Sequence, residues 1–198
     1  MKLLTMLLFI NALLFSQEAV FDSNTSKKSF WGVEFNIIRP FIMRSVCIDS
    51  YSGGLNYFDD NNGVEIAVPF TYTNISNDRN IYGINDYDDT SMTLDFHARK
   101  FIDNKANGAY IGTFVRYTYL EGKSKNLKIA KLHRFGVGVE IGFRMRSGDS
   151  PWYRGISVGT GIYLDDHQDV FEHDNYLMEM DGRKKFWDIE LLKIGFAF

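Results

Sequence analysis

From Phe30 to the end of the chain, apolar and polar residues alternate with a period of two over long segments. In 132–146, every second residue from Phe135 to Met145 is apolar, and the residues between them are glycine or charged. This period is the signature of β-strands with two different faces, and we find no convincing amphipathic helix. Most segments are as long as the roughly 9–11 residues of a tilted membrane-spanning strand. The predicted strands are 30–41, 51–58, 63–73, 90–101, 109–120, 132–146, 152–164 and 186–198.

The connections between these strands alternate in length. The short ones, rich in Asp, Asn and Gly, are 59–62, 103–108 and 147–151. The long ones are 42–50, 74–89, 121–131 and 165–185. Short turns on one rim, long loops on the other and an even strand count are typical of an outer-membrane barrel. The fold class predicted is therefore all-β: an eight-stranded antiparallel up-and-down transmembrane β-barrel with periplasmic turns and extracellular loops.

One face of each predicted strand is apolar, which also fits a soluble sheet whose apolar faces share a core. Two features favour lipid contact instead. Glycine occupies the inward positions of the last four strands, which suits a crowded, narrow lumen. Aromatic residues gather near strand ends, where the girdles of a membrane barrel lie. These aromatic residues are Phe30, Trp31, Tyr72, Tyr117, Tyr119, Trp152, Tyr153, Phe186 and Trp187.

The last strand ends at Phe198 and is preceded at every second position by Phe196, Ile194 and Leu192. It looks like the signal that outer-membrane assembly machinery recognises. With the strand pattern and the loop lengths, residues 30–198 resemble the small eight-stranded outer-membrane barrels of the OmpA, OmpX and OmpW kind. The resemblance implies fold and location but no functional residue, and we expect no periplasmic domain after Phe198.

Residues 1–16 have the layout of a secretory signal peptide, with Lys2 before an apolar run. We expect export through the Sec pathway and cleavage after Ser16, with Ala19 as the other candidate site. A transmembrane anchor is the rival interpretation, but the uncharged stretch ends at Glu18, short of the roughly 20 residues of a spanning helix. Residues 17–29 are predicted to be a flexible periplasmic lead-in, and Asn24 within it begins a glycosylation triplet.

Composition narrows the functional classes. The chain has 198 residues, room for one domain, and a single cysteine, which excludes an intrachain disulfide. A formal charge of -3 lacks the basic footprint of nucleic-acid binding. We expect no cofactor and no nucleic-acid partner.

Eight strands enclose an interior that side chains can fill, so a pore of porin size is not expected. Charges of both signs on the inward face should pair, because isolated charges in a low-dielectric interior are costly. We therefore predict a structural plug rather than an ion pathway, with a pH-sensitive gate at His97 as the alternative. The residues predicted for this network are Glu34, Glu65, Asp95, His97, Arg99, Arg116, Glu140, Arg144, Arg146 and Lys193.

Catalytic signals are weak. A lipid A deacylase needs a serine, a histidine and a carboxylate in one constellation, and none of His97, His133, His167 and His173 lies in a His-x-Ser pattern. The stretch 89–91 only faintly resembles the Asp-Ser of a lipid A palmitoyltransferase. We predict no enzymatic activity.

Loop 74–89 has four acidic residues and one basic residue, and loop 165–185 has seven acidic and three basic residues. In the second, Asp165, Asp166, Asp169 and Glu172 are candidate cation ligands, although they lack the glycine and terminal glutamate of an EF-hand. A solvated charge run is the alternative.

The function predicted is that of a non-enzymatic outer-membrane barrel acting in envelope structure or in binding through its surface loops. Its expected partners are membrane lipid and lipopolysaccharide, the assembly machinery, and a surface ligand at loops 74–89 and 165–185. The alternatives are a soluble secreted or periplasmic barrel that binds a small apolar ligand, and a narrow transporter of hydrophobic molecules. The charged lumen counts against the transporter.

Overall fold

The computed structural model describes residues 29–45, 48–75, 87–102, 107–124, 129–147, 150–164 and 184–198. These residues form eight strands and one short helix. The elements are β1 Ser29–Asn36, α1 Arg39–Ser45, β2 Ile48–Asp59, β3 Val64–Ile75, β4 Tyr87–Phe101, β5 Gly108–Ser124, β6 Ile129–Arg146, β7 Trp152–Tyr163 and β8 Lys185–Ala197. The signal peptide, the lead-in with Asn24 and the cation candidates from Asp165 to Glu172 lie outside the described residues.

Each strand pairs antiparallel with the next, and β8 pairs with β1 to close the barrel. The closing register places Gly32 opposite Ala197 and Asn36 opposite Lys193. The prediction of a closed, eight-stranded, up-and-down antiparallel barrel is confirmed. The strand ends at Asp59 and Val64, at Phe101 and Gly108, and at Arg146 and Trp152 lie together on one rim, called here the short-turn rim.

The first strand is shorter than predicted. Extended structure was expected to residue 41, but β1 ends at Asn36 and α1 occupies part of the segment 37–47. The cause is local: the side-chain oxygen of Asn36 accepts hydrogen bonds from the backbone N–H groups of Ile38 (3.1 Å) and Arg39 (2.9 Å). Such side-chain acceptors satisfy the free amides at a helix start, and Pro40 is tolerated in the first turn.

The prediction of a long loop at 121–131 is also wrong. Strand pairing continues through Lys123 and Ile129, so only residues 125–128 separate β5 from β6. β7 pairs with β6 only from Gly136 onward, whereas β4 pairs with β5 along its whole length. The wall therefore rises higher at the β5–β6 hairpin than at β7.

The outer wall is apolar and exposed. On β6, Phe135 is 60% exposed, Val139 54% and Ile141 64%. Large apolar side chains are exposed on every strand. They include Trp31, Phe35, Leu55, Phe70, Leu94, Phe96, Ile111, Val115, Trp152, Val158, Trp187, Ile189 and Phe196.

Inside the barrel, aromatic rings lie against glycine on the neighbouring strand. Phe114 faces Gly138 and Tyr153 faces Gly195 in register, and the same holds for Tyr110 with Gly142 and Phe186 with Gly161. A Cβ at Gly138 would lie 2.3 Å from Phe114 Cζ, so the ring fits only because that side chain is absent. Aromatic rings that cover glycines in this way also hold the register.

Three of the aromatic residues predicted for a membrane girdle lie inside instead. Tyr153 is 3% exposed. Phe186 packs over Gly161, and Phe30 stacks on Phe58 with ring centroids 4.6 Å apart. Gly195 lies across from Tyr153 and Gly161 across from Phe186, which leaves room for these two inward rings, whereas the residue across from Phe30 is Phe58. At the short-turn rim, inward residues form what we call the aromatic plug: Phe58, Phe101, Tyr110, Tyr153 and Ala197, with Phe30 packed against it.

Candidate functional site: the charged lumen

The structure buries nine of the charged residues predicted for the lumen, each at most 8% exposed. The tenth, Arg146, is half-buried, and its guanidinium lies 4.4 Å from the ring centroid of Phe30. Strand alternation places them, because on β6 the even-numbered residues face the lumen while the odd-numbered ones form the wall. The nine are Glu34, Glu65, Asp95, His97, Arg99, Arg116, Glu140, Arg144 and Lys193.

Glu65 is the acceptor at the centre of the layer next to the aromatic plug. Arg144 donates to both its carboxylate oxygens, at 2.6 and 2.8 Å, and Arg99 donates at 3.0 Å. Asn56 donates a further hydrogen bond to the same carboxylate. Arg144 also lies over the plug, 4.5 Å from the Phe58 ring centroid. This layer therefore joins the aromatic plug to the ion pairs above it.

Glu34 completes this layer from β1. Its carboxylate lies 3.7 Å from both Arg144 and Lys193, farther than a hydrogen bond. Because both cations are buried beside it, the contribution of Glu34 is electrostatic neutralisation more than directional bonding.

The next layer is built around Glu140. Its Oε1 accepts from Arg99 Nε at 2.6 Å and lies 2.5 Å from His97 Nδ1. The other ring nitrogen of His97 is 3.5 Å from Asp95, and the imidazole stacks on Phe114. His97 therefore lies between two carboxylates and bridges this layer to the one above.

Arg116 and Asp95 form the third layer. Two guanidinium nitrogens of Arg116 donate to the two oxygens of Asp95, at 2.8 and 2.6 Å, which is the bidentate geometry of a strong ion pair. The same guanidinium donates to Asp188 at 2.7 Å and lies 4.4 Å from the Phe186 ring centroid.

The sequence analysis missed several members, among them Asn56 beside Glu65 and, at this end of the barrel, Arg39, Asn36, Asp188 and Glu190. Arg39 on α1 donates to Glu190 at 2.8 Å, and Asn36 donates to the same carboxylate. Arg39 also lies 3.6 Å from Asp188. These contacts fix α1 to the barrel mouth, on the rim opposite the short turns.

An irregularity in β8 explains why its two acids were missed. Pairing between β7 and β8 shifts between Gly155 and Ser157, so the face of β8 changes near Leu191. Glu190 and Lys193 both face the lumen although they are three residues apart, and a strict period of two cannot place both inside. No local signal other than the doubled leucine at 191–192 marks the shift.

The network contains charged groups of both signs, six carboxylates and five permanent cations. Its carboxylates are Glu34, Glu65, Asp95, Glu140, Asp188 and Glu190, and its permanent cations are Arg39, Arg99, Arg116, Arg144 and Lys193. A polar cavity of about 30 Å³ lies among these groups, bordered by His97, Ser52 and Lys193. That volume holds about one water molecule.

The described lumen presents no arrangement for nucleophilic catalysis. The buried Ser50 hydroxyl accepts from Arg39 Nε at 2.9 Å and pairs with Thr73 at 2.8 Å, rather than with a histidine. His133 lies on the outer wall, with Nδ1 2.6 Å from the Tyr117 hydroxyl. Among the residues described, no group of three metal-ligating side chains could hold an ion, and no helix is long and apolar enough to cross a membrane.

The residues predicted as an assembly signal end β8 beside the short-turn rim. Phe198 is 67% exposed and Phe196 37%, whereas Leu192, next to the register shift, is 7% exposed. Phe198 exchanges backbone hydrogen bonds with Trp31 of β1, at 2.8 and 3.1 Å. The last residue of the chain therefore takes part in barrel closure.

Comparison with known proteins adds one structural neighbour. Neither a protein-family model nor a curated protein sequence matches the chain. A crystal structure of the N-terminal β-barrel domain of Pseudomonas aeruginosa OprF is similar at 12% identity and a TM-score of 0.45, covering 88% of this chain and 100% of that one.

Proposed function

We propose that this protein is a non-enzymatic integral outer-membrane barrel that acts in envelope structure or in binding through its surface loops. The observation that carries the proposal is the distribution of polarity. Apolar side chains such as Ile141 are exposed on the wall, while charged side chains of both signs, such as Glu65, Arg99 and Arg144, are buried in the lumen. A water-soluble barrel has the opposite distribution.

The exposed apolar wall is evidence that the barrel is surrounded by lipid, because its exposure to water would be energetically costly. Removing apolar surface from water is worth roughly 25 cal/mol per Å², and a monomeric soluble protein rarely exposes one apolar patch above a few hundred Å². Here the exposed apolar residues occupy every strand and form a belt around the barrel, called the belt below. The hydrocarbon core of a membrane would cover such a belt all around the barrel.

The lumen supports a structural role over conduction. Each interior carboxylate lies against at least one cation, and the aromatic plug closes the end at the short turns. An ion entering this space would have to break bidentate pairs such as Arg116–Asp95. The charged side chains that line the lumen likewise disfavour the passage of hydrophobic molecules.

We place the short-turn rim in the periplasm and the α1 rim outside, as in barrels with short inner turns and longer outer connections. Surface binding would then fall to the connections 74–89 and 165–185. The aspartates and glutamates of the second connection are proposed to contact cations or basic groups at the cell surface.

The test is to express the full chain in a Gram-negative host, wash the outer membranes with urea and run them on a detergent gel with and without boiling. We expect retention in the washed membranes and a heat-dependent mobility shift, because a closed barrel resists detergent until it is heated. Release as a soluble protein without a shift would overturn the proposal and would favour the soluble ligand-binding barrel.

A further inference from the structure

Helix α1 has two unlike faces. Arg39 turns toward the lumen and binds Glu190, while Ile38 and Ile42 are half-buried. On the opposite side, Phe41 is 77% exposed and Arg44 is exposed. The helix is therefore attached to the barrel on one face only, and its other face carries an aromatic ring and a cation.

The exposed face of α1 continues the belt. Phe35, 61% exposed, is the last large apolar residue of β1 on the outer wall, and Ile37, 43% exposed, follows in the bend between β1 and α1. Phe41 then lies in the first turn of α1. Exposed apolar side chains therefore follow one another from the outer wall of β1 into the helix.

Arg44 supplies the polar partner to this surface. It lies in the last turn of α1, three residues beyond Phe41 and hence on the same side of the helix. A helix that presents an aromatic ring beside a cation fits the boundary between acyl chains and phosphate groups, where the ring enters the hydrocarbon and the cation reaches a phosphate.

We propose that α1 is an interfacial helix that binds phosphorylated lipid of the outer leaflet, with Phe41 among the acyl chains and Arg44 on a lipid phosphate. This inference rests on the proposed membrane location of the barrel and assigns it a lipid contact outside the strands. Arg39 holds the helix at the rim through Glu190, so the lipid-binding face is presented in a fixed orientation.

The test uses nitroxide labels in a Cys47→Ser background, since Cys47 is the only cysteine. Phe41→Cys is labelled in the full chain reconstituted into vesicles of phosphatidylcholine and phosphatidylglycerol. Two references bracket it: Ile141→Cys in the belt, and Asn61→Cys in the exposed β2–β3 turn. Collision with oxygen reports hydrocarbon and collision with a nickel chelate reports water.

We expect the oxygen-to-nickel collision ratio at Phe41 to be severalfold above that at Asn61 and below that at Ile141, because an interfacial helix is shallower than the middle of the belt. A Phe41 value equal to that of Asn61, with Ile141 still in hydrocarbon, would overturn the inference and leave the membrane barrel standing. Aqueous values at both Phe41 and Ile141 would overturn the proposed function and the inference together.

The attraction of Arg44 to anionic lipid has its own control, because phosphatidylcholine carries a phosphate but no net charge. In vesicles of phosphatidylcholine alone, the Phe41 label should move toward water relative to vesicles that contain phosphatidylglycerol. Arg44→Gln should abolish this dependence on anionic lipid, and Arg44→Lys should keep it, because lysine retains the charge. An unchanged dependence in Arg44→Gln would overturn the assignment of Arg44.

Discussion

The outer wall and the lumen of this barrel are built from alternate residues of the same strands, yet they are organised differently. On β6, Val139 and Ile141 lie on the outer wall and are more than half exposed. Between them, Glu140 accepts from Arg99 at 2.6 Å and lies against His97. The wall needs only apolar character, whereas the lumen needs particular residues in particular positions.

This difference predicts opposite tolerance to mutation on the two faces. Fluid lipid adapts to any apolar shape, but a buried ion pair leaves an uncompensated charge when one partner is removed. The three predictions below compare the faces, and all use urea unfolding of the chain in vesicles, with the heat-shifted gel band as the measure of folded protein.

The largest effect is expected at the centre of the charge network. Glu65→Ala deprives both Arg99 and Arg144 of their shared acceptor, so the free energy of unfolding should fall by roughly 3–5 kcal/mol. Asn61→Ala in the exposed turn is the control and should leave stability unchanged. A loss below about 1 kcal/mol, as for an exposed ion pair, would show that the network contributes little.

A smaller effect is expected where an aromatic ring covers a glycine. Gly138→Ala places a Cβ 2.3 Å from Phe114 and should cost about 1–3 kcal/mol through overpacking. Gly159→Ala is the matched control, because its Cβ would meet Phe114 at 3.4 Å, an ordinary contact. Equal losses in the two variants would refute the packing argument, and Phe114→Leu should restore part of the loss in Gly138→Ala.

The smallest effect is expected on the wall. Val139→Leu keeps the apolar surface and should change the free energy of unfolding by less than about 0.5 kcal/mol. A loss above about 1 kcal/mol would mean that Val139 packs tightly against protein, as in an interface with a second copy.

The fold follows from local pattern more completely than the lumen does. Alternation from Phe135 to Met145 marks both faces of β6, and the polar turns mark where strands end, so strand number and closure could be predicted. Strand ends could not, because the start of α1 depends on the Asn36 side chain reaching two backbone amides. Likewise, β5 and β6 extend to Lys123 and Ile129 because the two segments pair with each other there, and neither segment shows this pairing by its own sequence.

Unbroken alternation made much of the lumen predictable, although Asn56 and Arg134, which are also buried on regular strands, were missed. Glu65, Arg99 and Arg144 lie on regular strands, whereas Asp188 and Glu190 precede the register shift in β8. Arg39 lies on a helix, where a period of two has no meaning. Tyr153 is in phase with the buried Gly155 and Ser157 on β7, so alternation points it inward, and Gly195 across from it leaves room for its ring.

The central claim is that the apolar wall faces lipid while the charged side chains face the lumen. The most direct test of this claim places one charge on the wall. Ile141→Lys and Asn61→Lys carry the same new cation, the first in the belt and the second in the short turn. A lysine at mid-membrane depth costs about 2–4 kcal/mol, so Ile141→Lys should lose membrane insertion and the heat-shifted band while Asn61→Lys keeps both. An Ile141→Lys chain that inserts and shifts like Asn61→Lys would contradict a lipid-facing wall.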